Sequence, residues 1–227
     1  MIQAQSLYDA SLTLKSKIPY IQKIKNKLNL ARQKIFRSNC FGQWLDLTDD
    51  SADPALVHSF LQLETFPENV DPETLYYKVG NLPPFRYGPE EFCLITGLRF
   101  GEDPTLSDVA GHESAITRIF GTGRLEVKHV VNVFNTIGND DILTNEDDVR
   151  VCLLVMVDVF FLGREGSLPV TQTFIRAIED FASWNHYPWG SYIWRPTYSQ
   201  MHRAIAKRSD RKKKMMMTGF LFPFKVS

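Results

Sequence analysis

His112-Glu113 opens like the helix of a zinc protease, in which two imidazoles one turn apart hold the metal and the intervening glutamate activates water. The second imidazole would stand at position 116, where this chain has Ile116, so the motif fails. Gly121-Thr122-Gly123 lacks the further glycine, the Lys-Ser/Thr pair and the preceding strand of a phosphate-cradling loop, and reads as a surface turn. Ser167 and Ser191 lack the spaced glycines of a nucleophile elbow. Cys40, Cys93 and Cys152 form no CxxC pair, and the latter two sit inside apolar helical patterns, which suits buried reduced thiols rather than nucleophiles. His58, His112, His129, His186 and His202 show no metal-ligand spacing. The carboxylates of Asp140-Asp141 and Glu146-Asp147-Asp148 fall where they would favour the positive end of a helix. These residues therefore predict a non-catalytic protein without a metal or cofactor.

Two further segments could bind rather than react. Trp184 to Trp194 holds three Trp and two Tyr within eleven residues, dense enough to stack bases or grip a peptide. Basic residues do not interleave with these rings until Arg195, so their expected role is to pin a helix connection onto the core. Lys207, Arg208, Arg211, Lys212, Lys213 and Lys214 form a basic cluster of the kind read by nuclear import or set against phosphates. Solvated helix ends have the same composition.

The elements that must position these groups follow from apolar spacing. Ile21, Ile24, Leu28, Ala31 and Ile35 recur at steps of three and four, predicting a basic amphipathic helix from Pro19 to Arg37. Asp53-Pro54 starts a second helix, with Leu56, Val57, Phe60, Leu61 and Leu63 on its buried side. Alternation in Leu75 to Val79 and in Phe85-Arg86-Tyr87, around Gly80-Asn81 and Pro83-Pro84, predicts a short hairpin. Gly88-Pro89-Glu90-Glu91 opens a brief helix that Gly97 closes. Further helices are predicted near Ser114 to Phe120, over Glu126 to Ile137, over Val149 to Leu162 as the buried centre, over Val170 to Trp184, and from Thr197 to about Lys213. The expected fold is mainly α, a single globular helical domain with a small β-hairpin. Residues 1–39 would carry the N-terminal basic helix and residues 40–227 the helical body.

With 227 residues, the chain can bury one substantial core. Its longest uninterrupted apolar run, Val151 to Val157, is far shorter than the roughly 20 residues of a membrane helix. Met1 to Ala10 does not read as a secretory signal, so a cytoplasmic or nuclear location is expected, with the nucleus favoured. The net charge of zero conceals segregation. Residues 1–45 hold eight Lys or Arg against one acid and residues 195–227 nine against one, whereas residues 46–194 hold nine against 24. Basic ends on an acidic body suit either an anionic partner or folding back onto that body.

Several segments together resemble the plant domain of unknown function 1985, found in transposon-derived genes and often ahead of a Ulp-type SUMO-protease domain. They are Phe41-Gly42 with Leu45, then Tyr77-Lys78-Val79-Gly80 with Phe85-Arg86-Tyr87. Glu91-Phe92-Cys93-Leu94-Ile95-Thr96-Gly97-Leu98 with Gly101 follows, then the apolar helix from Val149 to Leu162, Glu179-Asp180-Phe181 and Tyr187-Pro188-Trp189-Gly190. The likeness covers about residues 40–224. It marks Phe92, Ile95, Thr96, Gly97, Leu98, Asp180, Pro188, Trp189 and Gly190 as family-signature positions with a structural role. It also implies that protease chemistry in longer relatives belongs to a separate downstream domain, so that this chain, ending in the apolar run Phe220 to Phe224, is a solitary or truncated copy. That apolar end is expected to pack on the body or on a partner. The leading expectation is a non-catalytic protein-interaction or targeting domain with a protein partner and no membrane association. The alternatives are a nucleic-acid-binding accessory domain that uses the basic termini, and an unrecognised hydrolase.

Overall fold

The computed structural model describes residues 11–48, 53–104, 114–138, 143–206 and 214–225. The fold is mainly α. Among the described residues the helices are α1 (Tyr20–Lys27), α2 (Leu30–Arg37), α3 (Pro54–Leu63), α4 (Pro89–Thr96), α5 (Ala115–Phe120), α6 (Val127–Thr136), α7 (Asn145–Val155), α8 (Gln172–Glu179), α9 (Phe181–His186) and α10 (Trp189–Ala206). The strands are β1 (Ser11–Leu14), β2 (Glu64–Thr65), β3 (Leu75–Tyr77), β4 (Phe85–Tyr87) and β5 (Lys214–Met217). None of the described helices is long and apolar enough to cross a membrane. The chain groups into two compact units, each assembled from separated segments: residues 1–15, 52–101 and 189–227 in the first, residues 16–51 and 102–188 in the second.

In the first unit, the Asp53 carboxylate accepts from the Leu56 backbone N–H and Pro54 occupies the first turn of α3, so Val57 and Leu61 turn inward. The predicted hairpin is present as antiparallel β3 and β4, with Leu75 opposite Tyr87 and Tyr77 opposite Phe85. It gains a third strand, β2, on the far edge of β3. Strands β1 and β5 pair in parallel, Ser11 opposite Lys214 through Leu14 opposite Met217. The final helix departs from its expected start at Thr197: α10 begins at Trp189 and continues through Pro196. Pro196 has no N–H for the carbonyl one turn back, but Thr197 Oγ1 donates to Ile193 O (2.8 Å) and keeps a side-chain link across that turn. The apolar end packs on this unit. Phe220, Leu221 and Phe222 are buried, and the Phe220 N–H donates to Thr197 Oγ1.

In the second unit, the single helix predicted from Pro19 to Arg37 is two. Leu28 turns to extended backbone and Asn29 caps α2 by accepting from the Arg32 N–H (2.9 Å). The break shifts the phase of the buried stripe. Ile21, Ile24 and Leu28 are buried as expected, but beyond the break Arg32 and Phe36 are buried, not Ala31 and Ile35. The expected helix over Val170 to Trp184 is likewise divided, because Asp180 leaves helical geometry and its carboxylate accepts from the Ala182 and Ser183 N–H groups to start α9. At the centre, α7 runs into a π-helical stretch, Met156–Phe161, and every residue from Asp147 through Leu162 is buried.

Candidate functional site

The titratable groups of the second unit are drawn into structure. Thr144 caps α7 by accepting from the Asp147 N–H, and the first turn then carries Glu146, Asp147 and Asp148 at the positive end of the helix, as the sequence implied. What the sequence did not show is that Asp147 and Asp148 are buried against guanidinium groups. Arg32 meets Asp148 at 2.7 Å with both side chains almost fully buried. Arg118 meets Asp147 at 2.7 Å and Arg150 approaches it at 3.3 Å. Arg150 also donates to Ile178 O and lies over the Phe181 ring. Burial pushes the Asp147 carboxyl up, but hydrogen bonds from Arg118 and Thr144 and the two nearby positive charges hold it below its usual value. Such a group is an ion-pair anchor and a poor proton acceptor near neutral pH.

Asp158, in the π-helical stretch, behaves oppositely. It is fully buried and burial pushes its carboxyl up to about 6, although Arg164 at 2.6 Å pulls it down. The same guanidinium donates to Pro169 O, so the pair fastens the loop leading into α8. A carboxyl raised in the fold binds its proton more tightly there than in the unfolded chain, so acidification from about pH 7 through about 6 adds stability until the unfolded group also protonates. Relative to Asp158→Asn, the natural chain should gain about 1 kcal/mol between about pH 7 and about pH 5 in urea unfolding. Parallel stability curves for the two proteins would contradict this.

Burial also raises the three thiols, Cys40 and Cys93 to about 12 and Cys152 further, so all three are protonated at neutral pH. Among the described residues no group of His, Cys, Asp and Glu could hold a metal ion. His112 and Asp140-Asp141 lie outside the described residues, as do Lys207, Arg208, Arg211, Lys212 and Lys213 of the basic cluster, whose last member, Lys214, begins β5.

The signature residues mostly pack. Glu91 accepts from the Gly88 N–H at the start of α4, Phe92 and Thr96 turn inward, and Gly97 takes the left-handed conformation (φ +68°) that closes the helix. Leu98 is buried behind that turn. The Gly190 N–H donates to Arg99 O (2.9 Å), and a side chain at Gly190 would collide with the Cys93 thiol and the carbonyl oxygens of Leu98 and Arg99. Two separated blocks of the pattern thus meet at one point of the first unit. In the second unit, Asp180 caps α9, while the neighbouring Glu179 accepts from the Ser114 hydroxyl and the Ala115 and Ile116 N–H groups, capping α5. Trp184, Tyr187, Pro188, Trp189 and Trp194 are all buried, which withholds these rings from bases. Ile95 differs: it is partly exposed, beside Leu94.

A family model described as domain of unknown function (DUF1985) matches residues 70–200. The chain belongs to the DUF1985 family. No curated protein and no solved structure matches it. The DUF1985 match begins after Phe41-Gly42 and Leu45 and takes in segments of both units, including the hairpin, α4 and the junction at Gly190.

Within the DUF1985 stretch, α4 shows two faces. Phe92, Cys93 and Thr96 are inside, whereas Leu94 is 85% exposed, with Ile95 beside it and Phe100 following beyond the helix end. Leu94 lies one turn from Glu90, and Glu90 and Glu91 share an ion-pair cluster with Arg86 of β4, which also reaches Asp71. At the hairpin, Val79, Leu82 and Phe85 are also exposed. No aqueous packing need is met by these side chains, although isolated exposed apolar residues are common on protein surfaces.

Proposed function

We propose that this DUF1985 chain is a non-catalytic protein-interaction or targeting domain of plant, transposon-derived ancestry that works in the nucleus. The observation that carries the reading is the outward face of α4, where Leu94 and Ile95 stand in water on a helix whose Phe92, Cys93 and Thr96 build the core. Apolar residues next to a charged cluster form the kind of surface that a protein partner covers. The carboxylates of the buried network are consumed in ion pairs and the thiols are protonated, which is consistent with a binding role.

The test is proximity labelling in plant nuclei with the natural chain and with Leu94→Asp. Because Leu94 is exposed, the substitution should leave stability within about 0.5 kcal/mol. A specific partner labelled by the natural chain should fall about tenfold or more with Leu94→Asp, the loss expected when a contact residue at the centre of an interface becomes charged. Identical labelling by both proteins would overturn the reading.

A further inference from the structure

We infer that the cleft formed by α5, the loop after it and α8 binds a small organic anion, a carboxylate or phosphate ester joined to an apolar body. The inference stands apart from the α4 surface. The cleft encloses about 530 Å³, within the range of small-molecule sites. Its polar lining includes Arg124, His129, Gln172 and Thr122, and its walls include the apolar side chains of Phe120 and Ile175.

The charge of the lining points to the ligand. Residues 102–188 carry fourteen acids against six Lys or Arg, yet neither Asp nor Glu lines the cleft. Two carboxylates on neighbouring elements are engaged: Glu126 pairs with Lys128 at 2.6 Å, and Glu179 caps α5. Arg124 is exposed and acts on Glu126 only through its charge, without a contact at ion-pair distance, so its guanidinium offers a donor fork suited to an oxyanion. His129 Nδ1 accepts from the Glu126 N–H (3.3 Å), which puts the proton of the neutral ring on Nε2 and makes that nitrogen a donor. The Gln172 amide and the Thr122 hydroxyl add donors. Glu126 lies near enough to feel the charge of Arg124 and His129, but its ion-pair partner is Lys128, so the Arg124 fork and the neutral donors remain to complement an oxyanion, while Phe120 and Ile175 complement an apolar body.

The experiment is a ¹⁵N–¹H correlation NMR titration of the full chain with phenyl phosphate, benzoate, inorganic phosphate and benzyl alcohol. Phenyl phosphate or benzoate should give saturable shifts at Thr122, Arg124, His129 and Gln172, and whichever binds more tightly identifies the oxyanion. Arg124→Gln, an exposed substitution whose spectrum elsewhere should stay unchanged, should weaken binding about tenfold or more. Lys78→Gln, in the other unit, should leave affinity as it is. Three results would overturn the inference: no saturation at concentrations on the order of 10 mM, equal affinity in Arg124→Gln, or inorganic phosphate or benzyl alcohol binding as tightly as the better aryl anion.

Discussion

Asp148→Ala should destabilise the protein by about 3 to 5 kcal/mol, because it takes from the buried Arg32 guanidinium the carboxylate that it meets at 2.7 Å. Both partners are buried, so neither can recover water when the other is removed. The contrast is Arg37 with Asp46, a bidentate pair at 2.7 and 2.9 Å whose side chains are largely exposed. There solvent replaces the lost partner, and Asp46→Ala should change the urea midpoint little. The pair Arg32→Met with Asp148→Leu separates burial from attraction. Replacing both charges by apolar groups of similar size should cost far less than Asp148→Ala alone, since most of the single-mutant loss is the penalty of a stranded charge. If Asp148→Ala proves as mild as Asp46→Ala, the burial of this ion pair is wrong.

That pair also shows where sequence reading stops. The run Glu146-Asp147-Asp148 was legible as a helix start, because a cap and the helix dipole are local effects. Its partner Arg32 lies more than a hundred residues away, and the only local hint was a cation one turn from Leu28 and one turn from Phe36, on what proves to be the buried stripe. Apolar spacing alone points to Ala31 and Ile35 and skips this charged position. The same blindness joined helices that are separate. Leu28 and Asp180 each end one helix, and Asn29 and Asp180 cap the next without interrupting the apolar spacing, so two short helices read as one. Where punctuation was strong, as at Asp53-Pro54, Gly88-Pro89 and Gly97, boundaries were readable. The β1–β5 pair could not be, since each is a four-residue edge segment and its pairing joins opposite ends of the chain. The cleft was missed for a related reason. Gly121 to Gly123 reads as a surface connection and forms an exposed bend, but Gln172 and Ile175 arrive from α8, some fifty residues later, to make that bend one wall of a concave site.

Gly190→Ala should destabilise the protein by about 3 kcal/mol, although the same change at an exposed helical site would normally be stabilising by up to about 1 kcal/mol. Intrinsic propensity and packing oppose each other here, and the geometry decides which prevails. Gly190 is the second residue of α10, so its backbone does not require glycine; the space does. A Cβ at this position would overlap the Cys93 sulfur and lie 2.9 and 3.0 Å from the Arg99 and Leu98 carbonyl oxygens. The oxygens belong to the turn that Gly97 sets, and Arg99 O already accepts from the Gly190 N–H, so retreat would cost that hydrogen bond. Cys93→Ala in the Gly190→Ala background removes the sulfur but leaves both oxygens, so rescue should be partial and the two substitutions non-additive. Urea unfolding supplies the energies, and near-ultraviolet circular dichroism of the adjacent Trp189 and Trp194 reports whether α10 has shifted. Gly190→Ala at or above natural stability would mean that α4 and α10 do not meet as closely as this junction requires. The pairing of the Phe-Cys-Leu-Ile-Thr-Gly-Leu block with Trp189-Gly190 would then need another cause.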